Sequence, residues 1–290
     1  MMRFFFLLLL LGSSVIGWSQ YQPWKNIEPG VHQFRGLFPP LRNAFLVEDG
    51  KDGFYLISTP YNSADQAAMI NSIRTDFPGR KLKALIVVEQ DYASAAGAFL
   101  ITSTLGKVPV YAANNLVFTE EEKYTFLSKN PKNQEAGKFS VSLDLKSSFK
   151  TKYGEMTVKK IGTSCGNPGI VVMIQPSGTL FCASSWIETP FPLTPSWTYS
   201  VMMADFHRVF DMNPSRIFGG LSSEAYPKFK VWEIQRNWEQ WFVDYRYRKK
   251  EKMTASEFFQ SMKQRGSQFP WVPNDEKSLE ILWKFGWIAL

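Results

Sequence analysis

Residues 82–88, LKALIVV, form an almost continuous apolar run with charged residues on either side. A strand of this kind buries both faces, so it needs a covering layer on each side. The run leads into VEQDYASAAGAF, where a polar cluster gives way to small residues that open a helix over 95–105; VPVYAA then reads as the next strand. Strands buried on both faces and alternating with helices specify a layered α/β domain and exclude an all-helical bundle.

The flanking segments fit the same plan. Upstream, HQFRGL, NAFLVED and GFYLIST read as three short strands, the last two joined by Asp49, Gly50, Asp52 and Gly53. Ala67, Ile70, Ile73 and Phe77 recur at three- and four-residue steps, which predicts a helix over 64–77. Residues 129–151, rich in Lys, Asn and Ser, read as a long surface connection. Strands follow at 157–161, 170–175 and 179–182, then the rigid loop ETPFPLTPSW, a helix over 201–212 and a final strand in SRIFGGL.

From Tyr226 the composition changes, and six of the ten tryptophans lie beyond that point. Val231, Ile234, Trp238, Trp241 and Tyr245 mark one apolar helix face. Thr254 and Glu257 have capping-box spacing for a second helix, and Asn274 or Asp275 suits the cap of a third. We read 226–290 as a Trp-rich helical extension whose aromatic face packs on a main domain of residues 20–225. RYRKKEK, at 246–252, closes the first of these helices. Cations at a helix C-terminus complement its dipole, and that reading is preferred to a contact with an anionic polymer or lipid headgroup. No nucleic-acid motif accompanies the run, so a nucleic-acid partner is not expected.

The N-terminal stretch MMRFFFLLLLLGSSVIGWSQ has a basic start, a short apolar run and small residues. It reads as a signal peptide over 1–19, which leads to the expectation of an exported protein, periplasmic or secreted. No later apolar run has the ~18 residues that an integral membrane span requires. In an oxidising compartment Cys165 and Cys182, on either side of the hairpin IVVMIQPSGTLF, form either a disulfide or two buried thiols.

Four stretches, in order, resemble the metallo-β-lactamase fold superfamily. FLVEDGKDGFYLISTP is similar to its paired strands ending in a Leu-Ile-Asp-Thr-Gly signature. LKALIVVEQDYASAAGAF is similar to the strand and helix around its His-x-His-x-Asp-His motif. GNPGIVVMIQPSGTLFCASSW resembles the strand pair between its His-bearing loop and its metal-bridging Asp, and SRIFGGL resembles its last strand. The resemblance spans roughly residues 30–221 and implies a four-layer αββα sandwich. It also implies where zinc ligands would stand, and those positions have changed. The signature Asp falls at Ser58, and the histidine motif at Glu89, Asp91, Ala93 and Ser94. The middle His falls at Gly166, the bridging Asp at Ser184 and the last His at Gly220.

The whole chain contains two histidines. His32 belongs to an early strand, and His207 to a helix among Phe206, Val209 and Phe210; both read as surface or edge residues. A catalytic zinc site in this style needs three protein ligands, mostly His. The expectation is therefore a scaffold with no metal or other cofactor and no catalytic residues, whose ligand or protein partner is open. Its cleft would be bordered by Glu89, Asp91, Ser94 and Ser184 with Trp186 nearby. The alternative is a hydrolase using a carboxylate or hard-cation site around Glu89 and Asp91. Carboxylates at a strand end are ordinarily solvated, so replacing both by Ala is expected to leave folding stability nearly unchanged.

Overall fold

The doubly buried strand of the sequence lies inside a six-stranded mixed sheet. It is β5 (Lys81–Ile86), parallel to β4 (Gly53–Ile57) on one side and to β6 (Val110–Tyr111) on the other. β1 (Trp24–Glu28), β2 (Val31–Arg35) and β3 (Asn43–Asp49) complete the sheet as an antiparallel meander leading into β4. The computed structural model describes residues 23–38, 41–89, 92–113, 147–161, 169–183, 199–250 and 253–264.

Side chains alternate across β5 and its continuation, as the pleat of a strand requires. Leu85 and Val87 join one buried cluster with Met69, Ile70 and Ile73 of helix α1 (Ser63–Asp76) and Ala98 and Ile101 of helix α2 (Tyr92–Leu105). Ala84, Ile86 and Val88 join a second cluster between the sheets. Gly97 allows α2 its close approach: a Cβ there would stand 2.8 Å from the Thr59 hydroxyl and 2.9 Å from Gln66 Nε2. Small residues in this helix thus serve layer spacing.

The second sheet runs in the order β12 (Tyr226–Pro227), β11 (Arg216–Phe218), β10 (Thr179–Phe181), β9 (Gly169–Gln175), β8 (Gly154–Ile161), β7 (Ser148–Thr151). Its inner face meets the first sheet through an aromatic knot, with the Phe45 ring 4.4 Å from Phe181 and 5.6 Å from Phe218. Its outer face also buries apolar residues, among them Val171, Met173, Leu180 and Ile217. Helix α3 (Tyr199–Asp211) supplies the buried residues Phe206 and Val209. The layering is αββα, followed by helices α4 (Lys228–Lys250) and α5 (Ala255–Gln264).

Several expectations change. Residues 148–151, read as the end of a surface connection, form β7, because Phe149 buries its ring 5.5 Å from Tyr55 and 5.1 Å from Tyr111. α2 begins at Tyr92, three residues ahead of the run of small residues that marked it. β1 and β12 carry no strong strand pattern and owe their existence to pairing with β2 and β11.

In the extension, Thr254 and Glu257 form the capping box that their spacing implies. Glu257 Oε2 accepts from the Thr254 backbone N–H at 2.8 Å, and Thr254 Oγ1 accepts from the Glu257 N–H at 3.3 Å. The Thr254 backbone N–H and the Thr254 hydroxyl, which also donates to Glu257 Oε2 at 2.8 Å, hold the Glu257 carboxyl below its usual range. Val231 is buried and Ile234 half-buried, while the side chains of Trp238, Trp241 and Tyr245 lie outside the described residues. The loop at 188–197 and the third helix near Asn274 and Asp275 also lie outside them.

Candidate functional site

The parallel strands β4, β5, β10 and β11 all end at the same end of the sandwich. In open α/β sheets the carboxyl ends of strands are where ligands bind. β4 leads into Ser58, β5 into Glu89 and α2, and β11 into Gly219 and Gly220. The antiparallel β3 begins at this same end, and the residue just before it is Arg42.

Arg42 occupies the junction. Its side chain is 7% exposed, and its guanidinium lies 3.0 Å from the Glu89 carboxylate, itself 9% exposed. It donates to the Ser94 hydroxyl at 2.9 Å and sits 5.0 Å from the centre of the Tyr61 ring. Next to it, Asn43 ties in the second sheet. Its backbone N–H donates to the Gly220 carbonyl at 2.6 Å, and its side-chain amide donates to the carbonyls of Gly219 at 3.2 Å and Ser222 at 2.5 Å. Glu89, Ser94 and Gly220 are thereby gathered around two consecutive residues, Arg42 and Asn43.

The loop that delivers Arg42 is held from α1. Asn62 caps that helix by accepting from the Asp65 N–H at 2.8 Å. The fully buried Asp65 carboxylate accepts from the N–H groups of Leu37 at 2.8 Å and Phe38 at 3.2 Å, and from the Asn62 amide at 2.8 Å. The loop closes with Gly36 N–H donating to the Arg42 carbonyl at 3.2 Å. A Cβ on Gly36 would come within 2.6 Å of Asp65, so the grip requires glycine there. Gln66 fastens the start of α2 to the end of β4, donating to the carbonyls of Pro60 at 3.0 Å and Ala93 at 3.3 Å.

Ser58 holds a left-handed backbone, φ +65°, while its N–H donates to Ile86 at 2.8 Å. A non-glycine residue in that region stores roughly 1–2 kcal/mol of strain.

Of the positions singled out from sequence, Glu89, Ala93, Ser94 and Gly220 come together at this end. Ala93 is buried beneath the turn, with its carbonyl engaged by Gln66. Asp91, Cys165, Gly166, Ser184 and Trp186 lie outside the described residues. Cys182 is buried, its Sγ 3.6 Å from the Phe218 carbonyl oxygen.

The picture of a solvated Glu89 is corrected. Its carboxylate is buried against a guanidinium, so its removal is not neutral: it would take a counter-charge away from a buried cation. Sequence reasoning missed Arg42 altogether. It is 52 positions from Ser94, and a lone arginine between a Pro-Pro pair and an apolar strand carries no motif.

Neither histidine serves this junction. His32, on the helix-facing side of β2, has Nε2 2.6 Å from Glu48 and its ring 5.1 Å from that of Phe77. Burial pushes the Glu48 carboxyl up. Hydrogen bonds and positive charge from His32 and Arg80 outweigh that and leave it below the usual carboxylate range. His207 is exposed on α3. Among the described residues, no three His, Cys, Asp or Glu side chains converge as metal ligands. A guanidinium and a serine hydroxyl around one carboxylate do not fit the donor set of a zinc centre.

Two six-stranded sheets packed face to face, helices outside both, and parallel strands ending at a common junction decide the architecture. The chain has the metallo-β-lactamase fold. A β-lactamase domain protein from Burkholderia ambifaria is 12% identical with a TM-score of 0.62, the match covering 94% of this chain and 88% of that one. A metallo-β-lactamase family protein from Thermus thermophilus is 11% identical with a TM-score of 0.57, covering 76% and 82%. A metallo-β-lactamase from Pontibacter korlensis is 13% identical with a TM-score of 0.52, covering 73% and 96%. At these identities the likeness concerns the fold alone. No protein-family model and no curated protein sequence matches the chain. Among the described residues, no helix is long and apolar enough to cross a membrane.

Proposed function

We propose that this chain is an exported, non-catalytic member of the metallo-β-lactamase fold, a binding or structural scaffold whose metal junction has been rebuilt as a protein ion pair. The observation that carries the reading is Arg42. Its guanidinium is buried between Glu89 and Ser94, two positions that the resemblance assigns to zinc ligands in this fold. A fixed cation supplies there the positive charge that a metal would bring, without an exchangeable water to act as nucleophile. It would also repel a divalent cation. Export rests on the basic, apolar and small-residue succession of residues 1–19.

The alternative, a hydrolase built on Glu89 and Asp91, requires a Glu89 carboxylate able to take a proton or a hard cation. Its pairing with Arg42 weighs against both. The test is elemental analysis of protein purified without chelator or metal-affinity tag, followed by assays on β-lactam, thioester and phosphodiester substrates with added Zn²⁺, Mn²⁺ and Ca²⁺. We expect substoichiometric metal and no metal-dependent turnover. One tightly held metal per chain, with hydrolysis that the chelated protein lacks, would overturn the proposal.

A further inference from the structure

The contact between the two sheets is not wholly apolar. Val31, Phe45 and Val47 face the inter-sheet core, and Gln33 and Asn43 fall on the same side of their strands. Gln33 stands opposite Phe45 in the register and Asn43 opposite Arg35, so the two amides are diagonal neighbours on β2 and β3. Both residues are buried, Gln33 2% and Asn43 0% exposed. Their amide nitrogens meet at one acceptor: the Ser222 carbonyl receives Asn43 Nδ2 at 2.5 Å and Gln33 Nε2 at 3.3 Å. Asn43 Nδ2 also donates to the Gly219 carbonyl at 3.2 Å.

These bonds fix which end of each amide is which. Turning either group over would set its oxygen against a carbonyl oxygen, so Asn43 Oδ1 and Gln33 Oε1 take the other end. Among the described residues neither oxygen has a hydrogen-bond partner. Buried acceptors without donors are costly, and native interiors satisfy nearly all such groups. The Ser222 hydroxyl does not serve them, because it donates to the Glu224 carbonyl at 2.9 Å. The ligand these oxygens require is a small molecule with two donor hydrogens. A hard cation takes about six oxygen ligands, and the Gly219 and Ser222 carbonyls nearby are already turned to amide N–H groups. Water fits, since a buried water makes about two to four hydrogen bonds to groups of this kind.

We infer that a water molecule is bound between the sheets, donating one hydrogen to Asn43 Oδ1 and the other to Gln33 Oε1. It completes the hydrogen bonding of the two amides that hold Gly219 and Ser222 on the first sheet. The segment bearing Gly220, which borders the junction, is thereby tied to β2 and β3 through two side chains and one internal water.

The experiment is a crystal structure of the intact protein at a resolution that orders interior solvent, paired with oxygen-17 magnetic relaxation dispersion, which counts long-lived internal waters. We expect one fully occupied water within about 2.5–3.0 Å of both oxygens. In Gln33→Leu the site keeps a single polar partner, too few to hold a water, and the count should fall by one. If that variant does not fold, the wild-type crystal structure decides alone. No density between the two oxygens overturns the inference, as does an unchanged count in folded Gln33→Leu. A cation with about six short oxygen contacts would also overturn it. So would the guanidinium of Arg35, an exposed residue opposite Asn43, found donating to the two oxygens.

Discussion

Removing either partner of the Arg42–Glu89 pair should destabilise the protein strongly, and removing both should not. Both side chains are under one-tenth exposed, and they meet at 3.0 Å. Their attraction is offset in large part by the loss of hydration that each charge suffers on burial. In Glu89→Ala the guanidinium stays buried beside the Ser94 hydroxyl and the Tyr61 ring but loses the Glu89 carboxylate, and in Arg42→Ala the buried Glu89 carboxylate loses the Arg42 guanidinium. Breaking a buried pair from one side costs about 3–5 kcal/mol. Against a total stability of about 5–15 kcal/mol, that is a large fraction and would lower Tm by of order 10 °C. Arg42→Met combined with Glu89→Gln keeps the volume and removes both charges, so it should lie within about 1–2 kcal/mol of the wild type. Urea unfolding followed by tryptophan fluorescence, with Trp24 in the core as an internal reporter, compares the wild type with the two single variants and the double variant. The reasoning fails if each single variant falls within about 1 kcal/mol of the wild type, the range of exposed pairs, because the two charges would then be hydrated.

Two further outcomes follow from local geometry. Ser58→Gly should stabilise by about 0.5–1 kcal/mol by releasing the left-handed strain, whereas the β-branched Ser58→Val should destabilise by more than about 1 kcal/mol; both are read from urea midpoints. Because Glu48 titrates below its ordinary value of 4.5 in the folded protein, its pairing with His32 and Arg80 stabilises the fold fully above that value. That contribution is lost as pH falls through the folded pKa. Urea midpoints between about pH 7 and pH 3 should therefore fall less steeply in Glu48→Gln than in the wild type. Parallel curves would show that the trio contributes nothing to acid sensitivity.

The sequence by itself determined the layers. The apolar run that became β5, the three- and four-residue spacing of α1 and the small residues that let α2 approach at Gly97 are local patterns. Each says which faces must be buried, and few arrangements of strands and helices satisfy them together. The capping box at Thr254 and Glu257 was legible for the same reason, since both partners lie within one helical turn. Elements whose existence depends on a neighbour were not legible: β1, β7 and β12 are short, and their strand character comes from the edge they pair with or, for β7, from a slot between Tyr55 and Tyr111. The junction lay furthest from local reading. Sequence marked Glu89, Ser94 and Gly220 as changed positions, but a changed ligand says nothing of what takes its place. Arg42 arrives there because Asp65, capped by Asn62 at the start of a helix, grips a loop more than twenty residues upstream of itself and turns its last side chain inward. That placement is a product of tertiary hydrogen bonding between segments distant in the chain. Only the folded structure could reveal that the cation at this junction is supplied by the protein.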